Sequence, residues 1–326
     1  MNPILEVKDL KTHFFTDDGV VKAVDGVDLK LYPGRTLAIL GESGCGKSIT
    51  GRSIMRLEQH PGKIVSGNIL LETESGTEDL VTLSQNHPKI RSIRGGVISM
   101  IFQEPMTSLG PINTIGDQIE ETILLHNDVE KEEATRRTHE IMKKVGMPNP
   151  EALYNSYPFE LSGGLRQRAM IAMALSCNPQ VLIADEPTTA LDVTTQAQIL
   201  DLINELQQEM NMAVMFITHD LGVVAEIADD VAVMYMGQVV EFGSVYEIFD
   251  NPKHPYTRAL MNSVPGIVKP GQRLQTIAGS VASLLNVDDT CRFGARCPER
   301  ISGCERGCYN LSPVSNGSLI RCVQSQ

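Results

Sequence analysis

The chain alternates short apolar runs that end in polar turns with longer segments of helical periodicity. Two of the runs, 36–40 and 181–185, are apolar at almost every position. That pattern is typical of strands buried on both faces of a parallel sheet. A third run, 213–218, follows an amphipathic helical pattern over 195–208. This order of elements predicts an α/β core in which helices connect parallel strands.

Helical patterns dominate the middle of the chain and give way to a hairpin further on. The strand signal fades between about 84 and 177, where segments such as 130–145 have helical periodicity, so we expect a helical insertion in the core. Two apolar runs, 231–235 and 239–242, are separated by three residues that include Gly237. This spacing predicts a short β-hairpin.

The composition changes near Asp250. Prolines interrupt the segment that follows, and the final stretch from Thr290 is rich in cysteine, arginine and glycine with little apolar periodicity. The predicted domains are therefore 1–250 and a small extension, 251–326. The end of that extension has too few apolar residues to fold by burial alone.

Composition and charge narrow the function classes. Of the 326 residues, 28 are basic and 40 acidic, which gives a formal net charge of −12. Because no dominant basic block stands out, we expect no nucleic-acid partner. No apolar run approaches the roughly 20 residues that cross a bilayer, and the first residues lack the pattern of a secretory signal. We therefore expect a cytosolic protein.

A phosphate-binding motif follows the first buried run. The pattern G-x-x-x-x-G-K-[ST] is matched by Gly41, Glu42, Ser43, Gly44, Cys45, Gly46, Lys47 and Ser48, and Ile49 continues into a helical run through Leu57. Glycines let successive backbone N–H groups face phosphates, and the helix N-terminus adds a favourable dipole. Lys47 is expected to reach the β- and γ-phosphates of ATP, and the Ser48 hydroxyl is expected to ligate Mg²⁺.

Two adjacent carboxylates stand at the end of the run 181–185. Asp185 suits the Mg²⁺ shell, and Glu186 suits a general base that polarises an attacking water. Successive side chains of a strand point to opposite faces. Both carboxylates can therefore serve one site only if the backbone has special geometry at the end of the strand.

Between these motifs, Leu161-Ser162-Gly163-Gly164 precedes a helical run, and here the chain resembles the ABC ATPase family. The segment is similar to that family's signature motif, which contacts the γ-phosphate of ATP held by the opposite subunit. Ser162, Gly163 and Gly164 would make this contact, whereas Leu165 departs from the glutamine that many members carry. The fold implied is α/β: a P-loop NTPase (RecA-like) ABC ATPase core with a helical insertion, followed by a small Cys-rich C-terminal domain.

Other positions match the family's motifs in the same order. Gln103 resembles the Q-loop glutamine, which senses Mg²⁺ and the membrane subunit. Asp192, in the segment 190–192, resembles the D-loop at the subunit interface. His219 resembles the switch histidine, which contacts the γ-phosphate and supports Glu186.

The resemblance also implies an aromatic side chain that stacks on adenine. Phe14 is the candidate, and Phe15 is the alternative. Both lie in an early strand, where a phenylalanine also suits the core.

The resemblance narrows to one branch of the family at the segments 103–109 and 254–260. Both are similar to the oligopeptide and dipeptide branch of ABC importers, in particular its D-type ATPase subunit. This implies a membrane-associated translocase whose ATP hydrolysis drives uptake of peptides or a related solute. The implied partners are a similar but non-identical ATPase subunit, two transmembrane permease subunits and, indirectly, an extracytoplasmic substrate-binding protein. The implied location is the cytoplasmic face of the inner membrane.

Cysteines are concentrated at the end of the chain. Cys291, Cys297, Cys304 and Cys322 resemble the C-terminal pattern of that branch, where four thiolates can hold a 4Fe-4S cluster, with Cys308 as an alternate ligand. Zinc and free thiols are the alternatives, because four thiolates satisfy zinc equally well. A reducing compartment favours a metal site over disulfides. Ligation is then expected to fold the segment.

Two functions from other classes stay open. A soluble ABC ATPase of DNA repair or translation would carry coiled-coil insertions or two cassettes, and this chain has one cassette and no long heptad run. A redox-sensing protein would require the terminal thiolates to act on the nucleotide site. The sequence gives no indication of that coupling.

Overall fold

The computed structural model of the protein describes residues 2–104, 108–189, 191–263, 277, 279–280, 282–305, 310–314 and 317–323. They form two compact units. The first unit comprises Met1–Ile4, Tyr32–Arg35 and Leu83–Phe216. The second unit comprises Leu5–Leu31, Thr36–Thr82 and Ile217–Gln326.

Strands and helices are numbered here in chain order over the described residues. The strands are β1 (Leu5–Thr16), β2 (Gly19–Leu31), β3 (Thr36–Leu40), β4 (Gly62–Thr73), β5 (Gly76–Asp79), β6 (Ile98–Ile101), β7 (Val181–Asp185), β8 (Ala213–Thr218), β9 (Asp230–Tyr235), β10 (Gln238–Ser244), β11 (Ser312–Pro313) and β12 (Leu319–Ile320). The helices are α1 (Lys47–Ile54), α2 (Pro88–Gly96), α3 (Ile115–His126), α4 (Lys131–Lys144), α5 (Pro150–Tyr154), α6 (Gly163–Leu175), α7 (Val193–Met210), α8 (Leu221–Ile227), α9 (Val245–Asp250) and α10 (Pro255–Met261).

The first unit combines helices α2 to α7 with strands in the order β8-β7-β6. Of β8, only residues 213–216 belong to this unit. β6 and β7 are parallel, with Ile98 opposite Val181 and Ile101 opposite Ala184. Every residue of these strands is buried, as expected of a sheet covered on both faces. Because parallel strands end at the same edge, the residues that follow β6 and β7 are brought close together.

The second unit contains two sheets. In the larger one, with the order β11-β12-β10-β9-β3, β3 is parallel to β9 and pairs Leu40 with Val233. β9 and β10 form an antiparallel hairpin in which Gln238 is opposite Tyr235. The strand β12 joins the edge of β10, so Leu319 and Ile320 are paired with this sheet.

The other sheet of the second unit is antiparallel, with the order β2-β1-β4-β5. β1 and β2 form a hairpin that closes where Thr16 is opposite Gly19. β1 also pairs with β4, with Leu5 opposite Leu71. Because much of this sheet is partly exposed, apolar and polar residues mix along its strands more than in β3 or β7.

The fully buried strands and the strongest helical patterns are where the sequence predicts them. The runs 36–40, 181–185 and 213–218 coincide with β3, β7 and β8, and the predicted hairpin is formed by β9 and β10. The helix predicted to run through Leu57 ends at Ile54 instead, because Arg56 adopts a left-handed backbone conformation with φ of 53°.

The cysteine-rich segment is anchored by burial. Phe293 is 2% exposed, and its ring lies 5.3 Å from that of Tyr235, 5.4 Å from that of Tyr256 and 5.9 Å from that of His254. Ile320, on β12, is 3% exposed. The expectation that this segment is too poor in apolar residues to fold by burial is therefore wrong. Its apolar partners come from β9 and α10, outside the segment itself.

No helix in the described part of the chain is both long and apolar enough to span a bilayer. The longest of them, α7, has 18 residues and buries residues such as Ile199, Ile203 and Leu206 on one face. That spacing is typical of a helix packed on a core.

Phe293→Ala should lower the free energy of unfolding by about 3 kcal/mol, because it removes a buried ring and leaves a cavity among three aromatic neighbours. It should also speed protease cleavage in the segment beyond Thr290. Urea titration and limited proteolysis measure the two effects. Tyr246→Ala is the matched control, since Tyr246 is 76% exposed and its removal should change neither quantity. A Phe293→Ala variant as stable as the control would contradict this anchoring.

Candidate functional site

The 41–48 loop, residues Gly41 to Ser48, connects β3 to α1 in the second unit. Gly46 caps α1 with φ of 104°, a left-handed conformation that favours glycine. A Cβ atom at this position would lie closer to the Ala23 carbonyl oxygen than real Cβ atoms come. Both the backbone angle and the close approach therefore require glycine here.

Lys47 begins α1 and directs its ammonium group back toward the 41–48 loop. Its side chain is largely buried, with the residue 5% exposed, and Nζ donates hydrogen bonds to the carbonyl oxygens of Gly41 (2.8 Å) and Glu42 (3.2 Å). The positive charge is thus enclosed by the curled backbone at the N-terminus of a helix. A buried cation beside a helix N-terminus is a favourable setting for phosphate oxygens.

The other predicted residues of this loop differ in exposure. Ser43 and Gly44 are exposed, Ser48 and Ile49 are half-buried in the first turn of α1, and Cys45 is 1% exposed. Burial raises the pKa of the Cys45 thiol. The Cys45 carbonyl accepts a hydrogen bond from the Gly237 N–H (2.8 Å), so this residue supports the loop through its backbone.

Phe14 and His219 also belong to the second unit. Phe14 is half-buried on β1, where its ring lies against the α-carbon of Gly62, whereas Phe15 is 42% exposed under the Lys63 ammonium. His219 is exposed directly after β8. It lies at the junction between that strand and α8.

In the first unit, the carboxylates that end β7 have different surroundings. Asp185 is 2% exposed, whereas Glu186 has left the strand geometry with φ of 47°. This left-handed residue is the special backbone geometry that the pair of adjacent acids requires. The Glu186 Oε2 atom accepts hydrogen bonds from Gln103 Nε2 (3.0 Å) and Thr189 Oγ1 (3.0 Å). Gln103 follows β6, so the neighbouring parallel strands bring the two side chains together.

Two other predicted residues of the first unit, Ser162 and Asp192, lie at helix N-termini. Ser162 caps α6, and its hydroxyl accepts a hydrogen bond from the Leu165 N–H (3.4 Å). Asp192 caps α7, and hydrogen bonds from Thr195 lower the pKa of its carboxyl. A Cβ on Gly164 would lie 2.9 Å from Thr195 Cγ2, so glycine allows the two helix ends to approach. Ala190, the first residue of the predicted D-loop, lies outside the described residues.

The prediction of an iron-sulfur cluster is wrong. No three histidine, cysteine, aspartate or glutamate side chains within the described residues are arranged to hold a metal ion. Nothing there supports the zinc alternative either. Burial, with a contribution from nearby Cys304 and Cys322, raises the pKa of Cys291 to about 11, and burial likewise raises that of Cys297. The predicted alternate ligand, Cys308, lies outside the described residues.

Two residues that hold the 41–48 loop were not predicted. The Tyr256 hydroxyl accepts a hydrogen bond from the Glu42 N–H (3.1 Å), and the Arg296 guanidinium forms an ion pair with the Glu42 carboxylate (2.9 Å). Tyr256 lies in the segment 254–260, whose similarity to one branch of importers gave no role to this tyrosine. Arg296 lies among the terminal cysteines, and no local pattern in the sequence links it to Glu42.

The sequence matches two family models. One, described as ABC transporter, matches residues 24–189. The other, described as the C-terminal region of oligopeptide/dipeptide transporters, matches residues 240–304.

Curated relatives match over almost the whole chain. The oligopeptide transport ATP-binding protein AppD of Bacillus subtilis is 49% identical over 99% of this chain and 97% of its own length. The dipeptide transport ATP-binding protein DppD of the same organism is 48% identical over 99% of this chain and 95% of its own length. Both are described as ATP-binding proteins of transport, and neither as an iron-sulfur protein.

Solved structures of similar chains show the same cassette. The bacterial ABC transporter cassette MJ0796, solved as a dimer, is 27% identical with a TM-score of 0.65, over 74% of this chain and 98% of its own. The protein cbiO1 of Clostridium perfringens, part of the ABC transporter complex cbiONQ, is 28% identical with a TM-score of 0.63, over 77% of this chain and 92% of its own. The core is therefore an α/β P-loop fold.

Gly46→Ala should lower the free energy of unfolding by about 4 kcal/mol, because it adds a clash with backbone to the left-handed strain. Gly44→Ala is the matched comparison. Gly44 also has positive φ, 77°, but nothing lies within 4 Å of an added Cβ, so only the strain of about 1 kcal/mol is expected. Denaturant titration of both variants measures the difference. Equal losses would show that the close approach to Ala23 is unimportant.

Proposed function

This chain belongs to the ABC transporter family, and on that premise we propose that it is the ATP-binding and ATP-hydrolysing subunit of an importer for di- and oligopeptides. The observation that carries the proposal is the Lys47 ammonium group enclosed by the 41–48 loop. The neutral carbonyl oxygens that accept its hydrogen bonds attract the ammonium less strongly than the charged phosphate oxygens of ATP would. The match of residues 240–304 to the C-terminal region of peptide transporters supports the peptide class of solute.

Nucleotide binding begins with the exchange of Lys47's partners. The ammonium leaves the carbonyl oxygens of Gly41 and Glu42 and moves to the β- and γ-phosphates, while the backbone N–H groups of the 41–48 loop bind the phosphate oxygens. Gly46 keeps those N–H groups close to the helix N-terminus. Phe14, whose strand is tied to α1 by a hydrogen bond between Thr12 Oγ1 and Ser53 Oγ (2.8 Å), stacks on the adenine.

The chain also offers oxygen ligands for Mg²⁺. The residues that would hold the ion are Ser48, Gln103 and Asp185, which offer hydroxyl, amide and carboxylate oxygens. This set fits Mg²⁺, which takes oxygen ligands and is usually held by one or two protein carboxylates plus substrate phosphates. The ion supplies charge neutralisation on the phosphates when bound.

Glu186 is the proposed general base for hydrolysis. Its carboxylate accepts a proton from the attacking water as the oxygen of that water bonds to the γ-phosphorus and the bond to the β–γ bridging oxygen breaks. The hydrogen bonds from Gln103 and Thr189 hold the carboxylate in one orientation. His219 supports this step by contacting the γ-phosphate. The products are ADP and inorganic phosphate.

The exposed N-termini of α6 and α7 suggest how a second subunit takes part. Ser162, Gly163 and Gly164 would contact the γ-phosphate of ATP bound to the partner, and Asp192 would lie at that interface. We infer a similar but non-identical partner ATPase, two membrane-spanning permease subunits and an extracytoplasmic binding protein that delivers the peptide. In this assembly the chain lies at the cytoplasmic face of the membrane.

In the proposed assembly, each part of the chain has its own role. Residues 1–250 act as the ATPase domain, the helical part at about 84–177 receives the permease, and 251–326 form the C-terminal extension. The alternative of a soluble ATPase in DNA repair or translation is not favoured, because the relatives named above are transport proteins over nearly their full length. Without a metal site, the redox-sensing alternative has no support in the described residues.

Lys47→Ala should raise the dissociation constant for a non-hydrolysable ATP analogue about 100-fold, because it deletes the charge that faces the β- and γ-phosphates. Isothermal titration with the full chain measures the affinity. Lys8→Ala is the control, since Lys8 carries the same charge, is exposed on β1 and forms an ion pair with Glu6 (2.9 Å). Unchanged affinity in Lys47→Ala would refute the assignment of the 41–48 loop.

Glu186→Gln should leave ATP binding nearly intact and lower hydrolysis at the site that bears it by at least about 100-fold, because the amide keeps the shape and loses the base. Single-turnover hydrolysis in the assembled transporter measures this rate. Glu226→Gln removes an exposed carboxylate on α8 and should retain normal turnover. Normal turnover in Glu186→Gln would exclude Glu186 as the general base.

A further inference from the structure

An acidic side chain lies in the loop proposed to bind phosphates. Glu42 is the second residue of the 41–48 loop, and its carboxylate would repel the anionic phosphates of a nucleotide. The Arg296 guanidinium contacts both oxygens of that carboxylate, at 2.9 Å and 3.3 Å. The Arg296 side chain is 7% exposed and that of Glu42 is 27% exposed, so solvent screens the ion pair only in part.

Arg296 is held in place by several parts of the second unit. Its guanidinium donates hydrogen bonds to the Tyr235 hydroxyl (3.2 Å) and to the Gly279 carbonyl oxygen (3.4 Å), and lies 5.7 Å from the centre of the Tyr235 ring. Hydrogen bonding to Glu42 raises the pKa of Arg296. A planar donor fixed on several sides is suited to hold a carboxylate in one geometry.

A second arginine of the same segment supports the other end of the loop. Arg292 donates to the Met236 carbonyl and forms an ion pair with Asp25, and its side chain is 3% exposed. The next residue, Gly237, donates its N–H to the Cys45 carbonyl (2.8 Å). The terminal segment thus contacts the 41–48 loop directly through Arg296 and, near Cys45, through Met236 and Gly237.

We propose that Arg296 is a positioning residue that neutralises Glu42, so that the C-terminal segment sets the affinity of the 41–48 loop for nucleotide phosphates. The inference rests on the proposed function of that loop. The guanidinium offsets the negative field of the Glu42 carboxylate, so the positive charge of Lys47 dominates in the loop. Without this ion pair, the field of the Glu42 carboxylate would act on the phosphates and the affinity for ATP would fall.

Arg296→Gln should raise the dissociation constant for a non-hydrolysable ATP analogue about tenfold in the full chain with Mg²⁺ present. The matched control is Arg300→Gln. Arg300 lies four residues further on and forms an exposed ion pair with Glu305, at 2.6 Å, without contacting the loop. Equal affinities in the two variants would overturn the proposal. Arg296→Lys keeps the charge and should recover most of the affinity.

A double-mutant cycle separates charge neutralisation from packing. In a Glu42→Gln background there is no carboxylate to neutralise, so adding Arg296→Gln should raise the dissociation constant less than about twofold. A tenfold loss in both backgrounds would show that Arg296 acts through packing, and would overturn the proposal. Raising the ionic strength should shrink the effect of Arg296→Gln in the Glu42 background, since screening weakens exposed charges.

Lys47→Ala, measured in the same titration, separates failure of this inference from failure of the proposed function. If the 41–48 loop does not bind phosphates, Lys47→Ala will bind the analogue as tightly as the unaltered chain. If only the role of Arg296 is wrong, Lys47→Ala will weaken binding while Arg296→Gln matches Arg300→Gln.

Discussion

The close approach of backbone to backbone around Gly46 is the constraint on which the candidate site depends. The α-carbon of Gly46 lies against the Ala23 carbonyl, and the Gly237 N–H donates to the Cys45 carbonyl. Gly237 in turn accepts a hydrogen bond from the Asp25 N–H (2.8 Å). The loop is therefore fixed by β2 on one side and by the β9–β10 turn on the other. The start of α1, and with it the position of Lys47, follows from this arrangement.

The sequence predicts those elements whose pattern lies within a short stretch of the chain. β3, β7 and β8 are apolar throughout because both faces are covered, and the glycines and lysine of the 41–48 loop are adjacent in the chain. The antiparallel sheet β2-β1-β4-β5 escaped prediction because its partly exposed strands mix apolar and polar residues. The need for special geometry at the end of β7 could be anticipated, but the left-handed Glu186 and its bond to Gln103 could not. That bond joins residues 83 positions apart and depends on which strands are neighbours.

The terminal segment shows how a strong pattern can mislead. Closely spaced cysteines in a segment with few apolar residues indicated folding by metal ligation. In the structure the segment instead packs Phe293 against the rings of Tyr235 on β9 and Tyr256 on α10, and its arginines pair with Asp25 and Glu42. Those carboxylates lie more than 250 positions earlier in the chain, and no periodicity in the sequence connects them to arginines between cysteines.

The position of Phe293 bears on how a minimal version of this protein could be made. A cut after Asp250 follows the last of the predicted ATP-site motifs, yet it would remove Tyr256 and Phe293 together and uncover Tyr235, which is 1% exposed in the full chain. A shortened cassette would then expose an aromatic surface next to the 41–48 loop, and such a surface promotes aggregation. Any trimmed form for crystallography or biosensing therefore needs polar replacements at that face, or must retain the terminal segment through Ile320.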